Sequence, residues 1–363
     1  MKIDANLDDT DVRILKALVE HRKKVSTREL SDQLDVPDRT VRYRLRKLKE
    51  KGLLCPPKLQ TYERKLGLGE NLLLLQSNPA KEEQLTQLLD ETQFFYYYAP
   101  TYGKFDGFMV YAMYPLVTPR MVLQLAEEMV DRGLVKDFFL LDMVDYTRKP
   151  AELEPLLPDS DWTWDKWSKD IEAIMKSDCE IDLGLEEFPK VEPFDYRDIQ
   201  IIKHMVENPA STLKEVGEAL DPEMSLTQVH KRVKRLEDTK VIRGIKPSFS
   251  PYKDYISVSI FFKSRDYAKK ILCGFYKLPF EIIFAMENRS TYNLSVMMPS
   301  SQTNNFLQRL SFFRKYTDDF FIQMVLKGRS KGYIHLLSAF NLETESWEMP
   351  ISETLVKIKE IAQ

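Results

Sequence analysis

The sequence predicts an α+β chain in which two winged helix-turn-helix domains alternate with two ferredoxin-like (βαββαβ) sandwiches. Three observations predict it. Stretches of the first half recur in the second half, in the same order and at a spacing of roughly 185 residues: Leu7–Leu18 with Phe194–Met205, Thr40–Leu54 with Gln228–Ile242, and Asp137–Arg148 with Asp319–Arg329. Within each half the apolar period then changes from helical to strand-like. A short break also precedes a strongly basic amphipathic helix in each half. At 363 residues the chain is long enough for several cores, and 43% hydrophobic with 30% charged residues is an ordinary globular balance.

In order along the chain, Val12, Leu15, Leu18 and Val19 recur at helical spacing, as do Leu30 and Leu34, then Val41, Leu45 and Leu48. Ser26 is placed to cap the second helix, with Glu29 completing a capping box. Asp35-Val36-Pro37-Asp38 breaks the chain, since a proline fits the first turn of a new helix but not the interior of an old one. Gly52 ends the third helix. From residue 71 the pattern reads strand Leu72–Gln76, helix Glu82–Glu91, strands Phe94–Pro100 and Phe108–Tyr114 around a turn at Tyr102–Gly107, helix Pro119–Arg132 and strand Val135–Val144. Ile256–Lys263, Asp266–Tyr276, Phe280–Met286, Tyr292–Met298, Asn304–Tyr316 and Asp319–Leu326 repeat that order. Pro150–Pro193 is acidic, begins with a Trp-rich helical stretch and ends as a linker. The expected domains are therefore a winged helix-turn-helix over 1–68, a sandwich over 69–150, a helix and acidic linker over 151–193, a second winged unit over 194–255, a second sandwich over 256–335 and a helical tail over 336–363.

Charge distribution points to a polyanionic partner where net charge does not. The chain carries a net −3, yet residues 1–65 hold 17 Lys and Arg against 11 Asp and Glu, a balance of +6, and residues 66–194 hold 11 against 25, a balance of −14. On the third helix each residue advances about 100°, so Val41, Leu45 and Leu48 form a seam while Arg39, Arg42, Tyr43, Arg46 and Lys47 gather opposite, with Thr40 beside them. Guanidinium groups so displayed suit a duplex groove, where arginine contacts guanine edges or phosphates. Arg44, and its counterpart Arg232, fall on the flank of the buried face and are expected in structural salt bridges. In the second unit Val229, Val233 and Leu236 form the seam, and Thr227, His230, Lys231, Lys234 and Arg235 point away. That unit, residues 195–255, holds 11 basic against 10 acidic residues and is the weaker candidate.

Nucleotide-binding and metalloprotease motifs do not occur, and Gly67 and Gly69 lack the third glycine of a dinucleotide fingerprint. The four histidines, His21, His204, His230 and His335, are dispersed, and no metal site, cofactor or catalytic set is expected. Cys55, Cys179 and Cys273 lie far apart without a CxxC pair, which speaks against a zinc ribbon or disulfide framework and for a reducing cytoplasm, beside the nucleoid. No apolar run reaches membrane-spanning length, and the acidic start carries no signal-peptide pattern.

VRYRLRKLKEKGLL, followed by KLGL at Lys65–Leu68, resembles the leucine-responsive/asparagine operon regulator (Lrp/AsnC) family, and VHKRVKRLEDTKVIRGI is similar to the same stretch. YGKFDGF at Tyr102–Phe108 matches that family's Gly-x-x-Asp loop. The resemblance covers most of the chain twice. It implies a tandem duplication of a DNA-binding winged unit and an effector-binding, dimerising sandwich, with Arg39, Arg42 and Arg46 on the DNA-facing helix and Gly103 and Asp106 on a loop that binds a small-molecule effector such as an amino acid. The second sandwich departs from it: ENRSTYNL (Glu287–Leu294) places Arg289 and Tyr292 where the glycine and aspartate would stand. Because family members carry one unit and dimerise, the two sandwiches are expected to pair within the chain as a pseudo-dimer through Phe94–Tyr98, Phe138–Phe139 and Phe320–Phe321, with a homodimer left open. The expected function is a transcription regulator on double-stranded DNA, not an enzyme. Two alternatives stand beside it: a sirohaem-decarboxylase-like tetrapyrrole enzyme, whose His-Tyr-x-Arg stretch ENRSTYNL echoes only at its end, and a non-DNA-binding scaffold.

Overall fold

The computed structural model describes residues 7–20, 25–153, 155, 160–249, 254–332, 337 and 339–362. The first winged unit is built from α1 (Asp9–Glu20), α2 (Thr27–Leu34), α3 (Asp38–Glu50) and a strand β1 (Leu54–Thr61). Its helices close on Ala17, Leu30 and Val41, with Leu18, Leu34 and Leu45 around them; all but Ala17 are positions of the helical period. Ser26 accepts from the Glu29 amide and Glu29 returns the bond to the Ser26 amide, satisfying two donors that the start of α2 would otherwise leave bare. Asp35 reverses the chain in the left-handed region at φ 51°, and α3 starts three residues later.

The first sandwich follows as β2 (Leu68–Ser77), α4 (Glu82–Glu91), β3 (Phe95–Gly103), β4 (Gly107–Pro115), α5 (Met121–Asp131) and β5 (Val135–Asp142). Next come a strand β6 (Asp145–Lys149), the Trp-rich helix α6 (Trp164–Lys176) and the second winged unit: α7 (Tyr196–Glu207), α8 (Leu213–Glu218), α9 (Leu226–Asp238) and β7 (Ile242–Phe249). In that unit the turn before α9 passes so close to α8 that a Cβ at Gly217 would lie 2.3 Å from the Met224 carbonyl oxygen, so only glycine fits there. The second sandwich is β8 (Tyr255–Lys263), α10 (Ala268–Tyr276), β9 (Glu281–Asn288), β10 (Thr291–Pro299), α11 (Thr303–Leu310) and β11 (Asp319–Val325). A short β12 (Arg329–Ser330), a hairpin of β13 (Phe340–Asn341) and β14 (Ser346–Trp347), and helix α12 (Ile351–Ile361) complete the chain.

The two sandwiches share one continuous sheet in the order β5-β2-β4-β3-β11-β8-β10-β9-β6. Strand alternation sends Leu73, Leu75 and Val110 to a helix-covered outer face. It sends Leu72, Leu74 and Met109 to an inner face, where they meet Phe261, Ala285 and Val325 of the second sandwich. Four rings fill that inner layer: Phe139 lies 5.3 Å from Phe321 and 5.4 Å from Phe261, Phe261 stacks on Phe321 at 4.7 Å, and Phe105 lies 6.2 Å from Phe321. Pairing of the sandwiches within one chain therefore runs through Phe139 and Phe321. Phe94 and Phe95 instead pack with the outer core.

Exchange between the halves is the feature that the sequence did not disclose. The expected strand Val135–Val144 breaks at Met143, and its continuation β6 pairs with β9 of the other sandwich. The equivalent continuation after β11, β12, pairs with β3 of the first. Helix α6 packs on the second sandwich through Trp167 and Ile171, whereas α12 packs on the first through Ile358. The wings do the same: β1 and β7 form an antiparallel pair with each other. Apolar side chains of the first winged unit (Val12, Leu15, Leu48) join the core of the second sandwich, and those of the second unit (Ile199, Val233, Leu236) join the core of the first.

Candidate nucleic-acid interface and effector loop

Helix α3 owes its orientation to Val41 and Leu48, which are fully buried, and to Arg44 on their flank. Arg44 contacts Asp8 and lies 3.3 Å from Asp11, and Asp11 is only 5% exposed. The ion pair pins α3 to the start of α1. Arg39, Arg42, Tyr43, Arg46 and Lys47 are all exposed, and Thr40 is half-buried. Arg42 reaches back to Asp38 at 2.8 Å and Arg46 to Glu50 at 3.7 Å. Both pairs are solvent-facing, and such pairs are worth little and yield readily to a stronger partner. The Tyr43 ring lies between the Arg46 guanidinium, 5.8 Å away, and the Lys47 ammonium, 5.7 Å away. Four cations and a phenol thus share one uncovered helix face.

The second unit distributes its charges differently. Thr227, His230, Lys231 and Lys234 are exposed on α9. Arg232 binds Asp195 and Asp198, each at 2.9 Å, as its flanking position predicted. Arg235 is exposed, as its outward position predicted, and its guanidinium also contacts Asp198, a carboxylate with no solvent exposure, and donates to the Pro193 carbonyl at 3.2 Å. Angular position alone does not reveal that a buried acid on α7 recruits both arginines. His204 is within 3.2 Å of the Ser211 hydroxyl, and His21 and His335 fall outside the described residues.

The loop from Gly103 to Asp106 is held by its own aspartate, which accepts from the Gly103 amide at 3.1 Å. Across the junction of the sandwiches Gln323 of β11 clamps it, accepting from the Phe105 amide at 3.1 Å and donating to the Phe105 carbonyl at 2.7 Å. Gly103 has φ 153°, and a Cβ there would lie 2.5 Å from the Ile322 carbonyl oxygen. Lys104 rides on the Phe321 ring, its ammonium 4.4 Å from the centroid. Beside the loop a polar cavity of about 240 Å³ opens among Gln76, Ser77, Glu82, Tyr102, Asp106 and Lys136. At the matching turn of the second sandwich, Arg289 is exposed and pairs with Glu187, and Tyr292 stacks on Phe262 at 5.5 Å. That turn makes no equivalent of the Gly103–Asp106 bond.

A buried polar seam joins the winged units to the sandwiches, and sequence reasoning missed it. Arg64 grips Asp142 through two bonds of 3.1 and 2.9 Å, and the Tyr114 hydroxyl donates to the same carboxylate at 2.7 Å. Arg243, on the second wing, binds Asp145 at 2.8 and 3.0 Å while lying 3.8 Å above the Tyr62 ring. Lys65 reaches the Thr239 carbonyl at 3.0 Å and Glu186 at 3.1 Å. Deeper in, Glu70 accepts from the Tyr96 hydroxyl. Burial pushes the Glu70 carboxyl up to about 8, and the Tyr96 phenol well above its ordinary value. Charged residues at the strand positions Glu70, Asp142 and Asp145 were the available signal, since an ionisable group on a buried strand needs a partner.

A winged helix-turn-helix DNA-binding family matches residues 7–54. The first unit is thus a winged helix-turn-helix in fold. No curated protein matches the chain. Among solved structures, the siroheme decarboxylase NirDL is similar over 97% of this chain and 98% of its own, with a TM-score of 0.55 and 15% identity. The same enzyme in complex with an iron-uroporphyrin III analogue aligns over 89% and 94%, with a TM-score of 0.52 and 15% identity. AsnC of E. coli aligns over 39% of this chain and 94% of its own, with a TM-score of 0.31 and 16% identity. NirDL shares the fold along nearly the whole chain, and this corrects the expectation that the chain is not an enzyme: this architecture is found in one. The physical reason is that residues brought together by the fold from distant parts of a chain leave no short local motif, and short motifs were the ground for that expectation.

Proposed function

We propose that the chain is a sequence-reading regulator of transcription that binds double-stranded DNA through α3. In this reading Arg39, Arg42 and Arg46 reach base edges or phosphates, and Thr40, Tyr43 and Lys47 support them. Thr227, His230, Lys231 and Lys234 of α9 form a weaker second contact. The observation that carries the reading is the exposed basic face of α3, backed by a buried seam and anchored by Arg44. The reciprocal exchange of β6 with β12 and of α6 with α12 supports reading the two halves as a tandem duplication that supplies a pseudo-dimer from one chain. Asp106, which holds the Gly103 amide, lines the cavity that would take a small polar effector, and in this reading the seam of Arg64, Lys65 and Arg243 is the physical route from the sandwiches to the winged units. The test is selection of bound fragments from genomic DNA by the full chain, followed by affinity measurements on the winning sequence. Arg42→Ala and Arg46→Ala should each cost on the order of 1–3 kcal/mol if they touch bases. Unchanged affinity in both variants would remove α3 from the interface.

A second reading, catalysis on a tetrapyrrole carboxylate, is favoured by one observation, the likeness to NirDL along nearly the whole chain. Among the described residues no histidine lies on a sandwich strand. Adding iron uroporphyrin to the purified chain discriminates the two: a Soret shift with release of carbon dioxide supports the enzyme, and an unperturbed spectrum counts against it.

A further inference from the structure

We propose that Cys179 and Cys273 form a reversible disulfide that staples the segment after α6 to the second sandwich. The two cysteines are 94 positions apart, yet their sulfurs lie 2.7 Å from one another. That separation sets them apart from Cys55, which sits on β1 of the first wing. Neighbouring bonds hold the pair in register. Lys269 of α10 binds Glu180 at 2.9 Å, Lys270 donates to the Met175 carbonyl at 3.4 Å, and the Trp167 indole donates to the Gly274 carbonyl at 3.0 Å. The end of α6 is therefore already strapped to α10 on both sides of the sulfurs, and closing the bond demands little movement of either backbone.

The two sulfurs are unlike. Cys273 is 3% exposed, and burial pushes its thiol up to about 12. Cys179 is half-buried and accessible from solvent. The accessible thiol is the one that meets an oxidant, here a hydroperoxide. With hydrogen peroxide, the Cys179 thiolate attacks one oxygen, the O–O bond breaks, the protein keeps a sulfenic acid, and the departing hydroxide takes up the proton that the thiol had released and leaves as water. The Cys273 sulfur then attacks Cys179 sulfur. An S–S bond forms, the S–O bond breaks, and the departing hydroxide takes the Cys273 proton as a second water. Two electrons pass from the sulfur pair to the peroxide, and a dithiol reverses the bond by exchange.

The consequence is a shorter tether. The segment leaving Cys179 carries Glu186, whose carboxylate binds Lys65 at 3.1 Å and Lys240 at 3.5 Å, and it then enters α7 of the second winged unit. Fixing its start to α10 constrains the unfolded chain over the 94 positions between the two sulfurs, the range in which a cross-link stabilises most by chain entropy.

The experiment uses the full chain, reduced, cleared of reductant and treated with hydrogen peroxide. Free thiols titrated under denaturing conditions should fall from three to one, the survivor being Cys55. Non-reducing peptide mapping should recover the 179–273 cross-link, and the thermal midpoint should rise by several degrees and return with dithiothreitol. Cys55→Ser should leave no free thiol after oxidation, and Cys179→Ser should form no cross-link and gain no thermal stability. Retention of three thiols would overturn the proposal. So would over-oxidation of Cys179 with Cys273 still titratable, or a cross-link from either cysteine to Cys55. Mapping of the unsubstituted chain decides the matter even if a variant fails to fold.

Discussion

Arginines on one helix divide by what lies behind them. Arg42 and Arg46 meet carboxylates of their own helix, the half-buried Asp38 and the exposed Glu50, whereas Arg44 meets Asp8 and the nearly buried Asp11. Arg44→Ala should therefore lower the thermal midpoint, because it leaves Asp11 without its cation. Arg42→Ala should leave the midpoint unchanged and weaken DNA binding. Melting and binding curves of the two variants, taken together, check the division. Glu70 gives a prediction in pH. Its folded carboxyl, at about 8, lies above the ordinary value of 4.5, so the native state holds the extra proton between these limits and stability falls as pH rises through that window. The contribution is fully present below pH 4.5 and lost above 8. Glu70→Gln keeps an acceptor for Tyr96 and should flatten the slope of stability against pH between about 5 and 8, as read from denaturant midpoints across that range. A slope identical in the two proteins would show that Glu70 titrates as it does in water.

Elements were legible where the signal is local and hidden where it is long-range. Helices α1 to α3 follow from apolar spacing and from the Ser26–Glu29 box, and Ser26→Ala should cost about 1 kcal/mol in equilibrium unfolding. The strand expected at Leu72–Gln76 extends to Leu68–Ser77; its first residues include Glu70 and Asn71, whose polarity masked the pattern until Tyr96 and Asp142 supplied partners. The stretch read as one strand over Val135–Val144 is two, because the chain crosses at Met143 from one sandwich to the other. No period within a strand records which sheet it joins. The helix expected over Asn304–Tyr316 ends at Leu310 and tightens into a 3-10 turn. At the wings, Arg243 is the side chain that ties β7 to Asp145, a carboxylate with no exposure. Arg243→Ala should destabilise the chain by on the order of 3 kcal/mol, in unfolding experiments, by stranding that charge.

At the scale of the molecule, the two sandwiches meet face to face inside this one chain. Four phenylalanines fill the layer between the sandwiches, and the wings pair with each other. Sedimentation should therefore give a single-chain species across the micromolar range, and an obligate tetramer would contradict the pairing. Of the aromatic strands, Phe139 and Phe321 announced the inner layer in the sequence, whereas Phe94 and Phe95 joined the outer core; the exchange of α6 and α12 was not announced, because amphipathic helices do not say which half they cover. If both winged units engage DNA as proposed, two unlike units on one scaffold predict an asymmetric operator, with half-sites about one helical turn, roughly 34 Å, apart.

The basic face of α3 is the centre of the account, and the dependence of DNA affinity on salt tests it most directly. Binding of the selected fragment should weaken linearly on logarithmic axes as salt rises, through release of counterions. Replacing an arginine that contacts phosphate should lower the slope by about one. A slope near zero, or the same slope after Arg39, Arg42 and Arg46 are all replaced by alanine, would contradict the account.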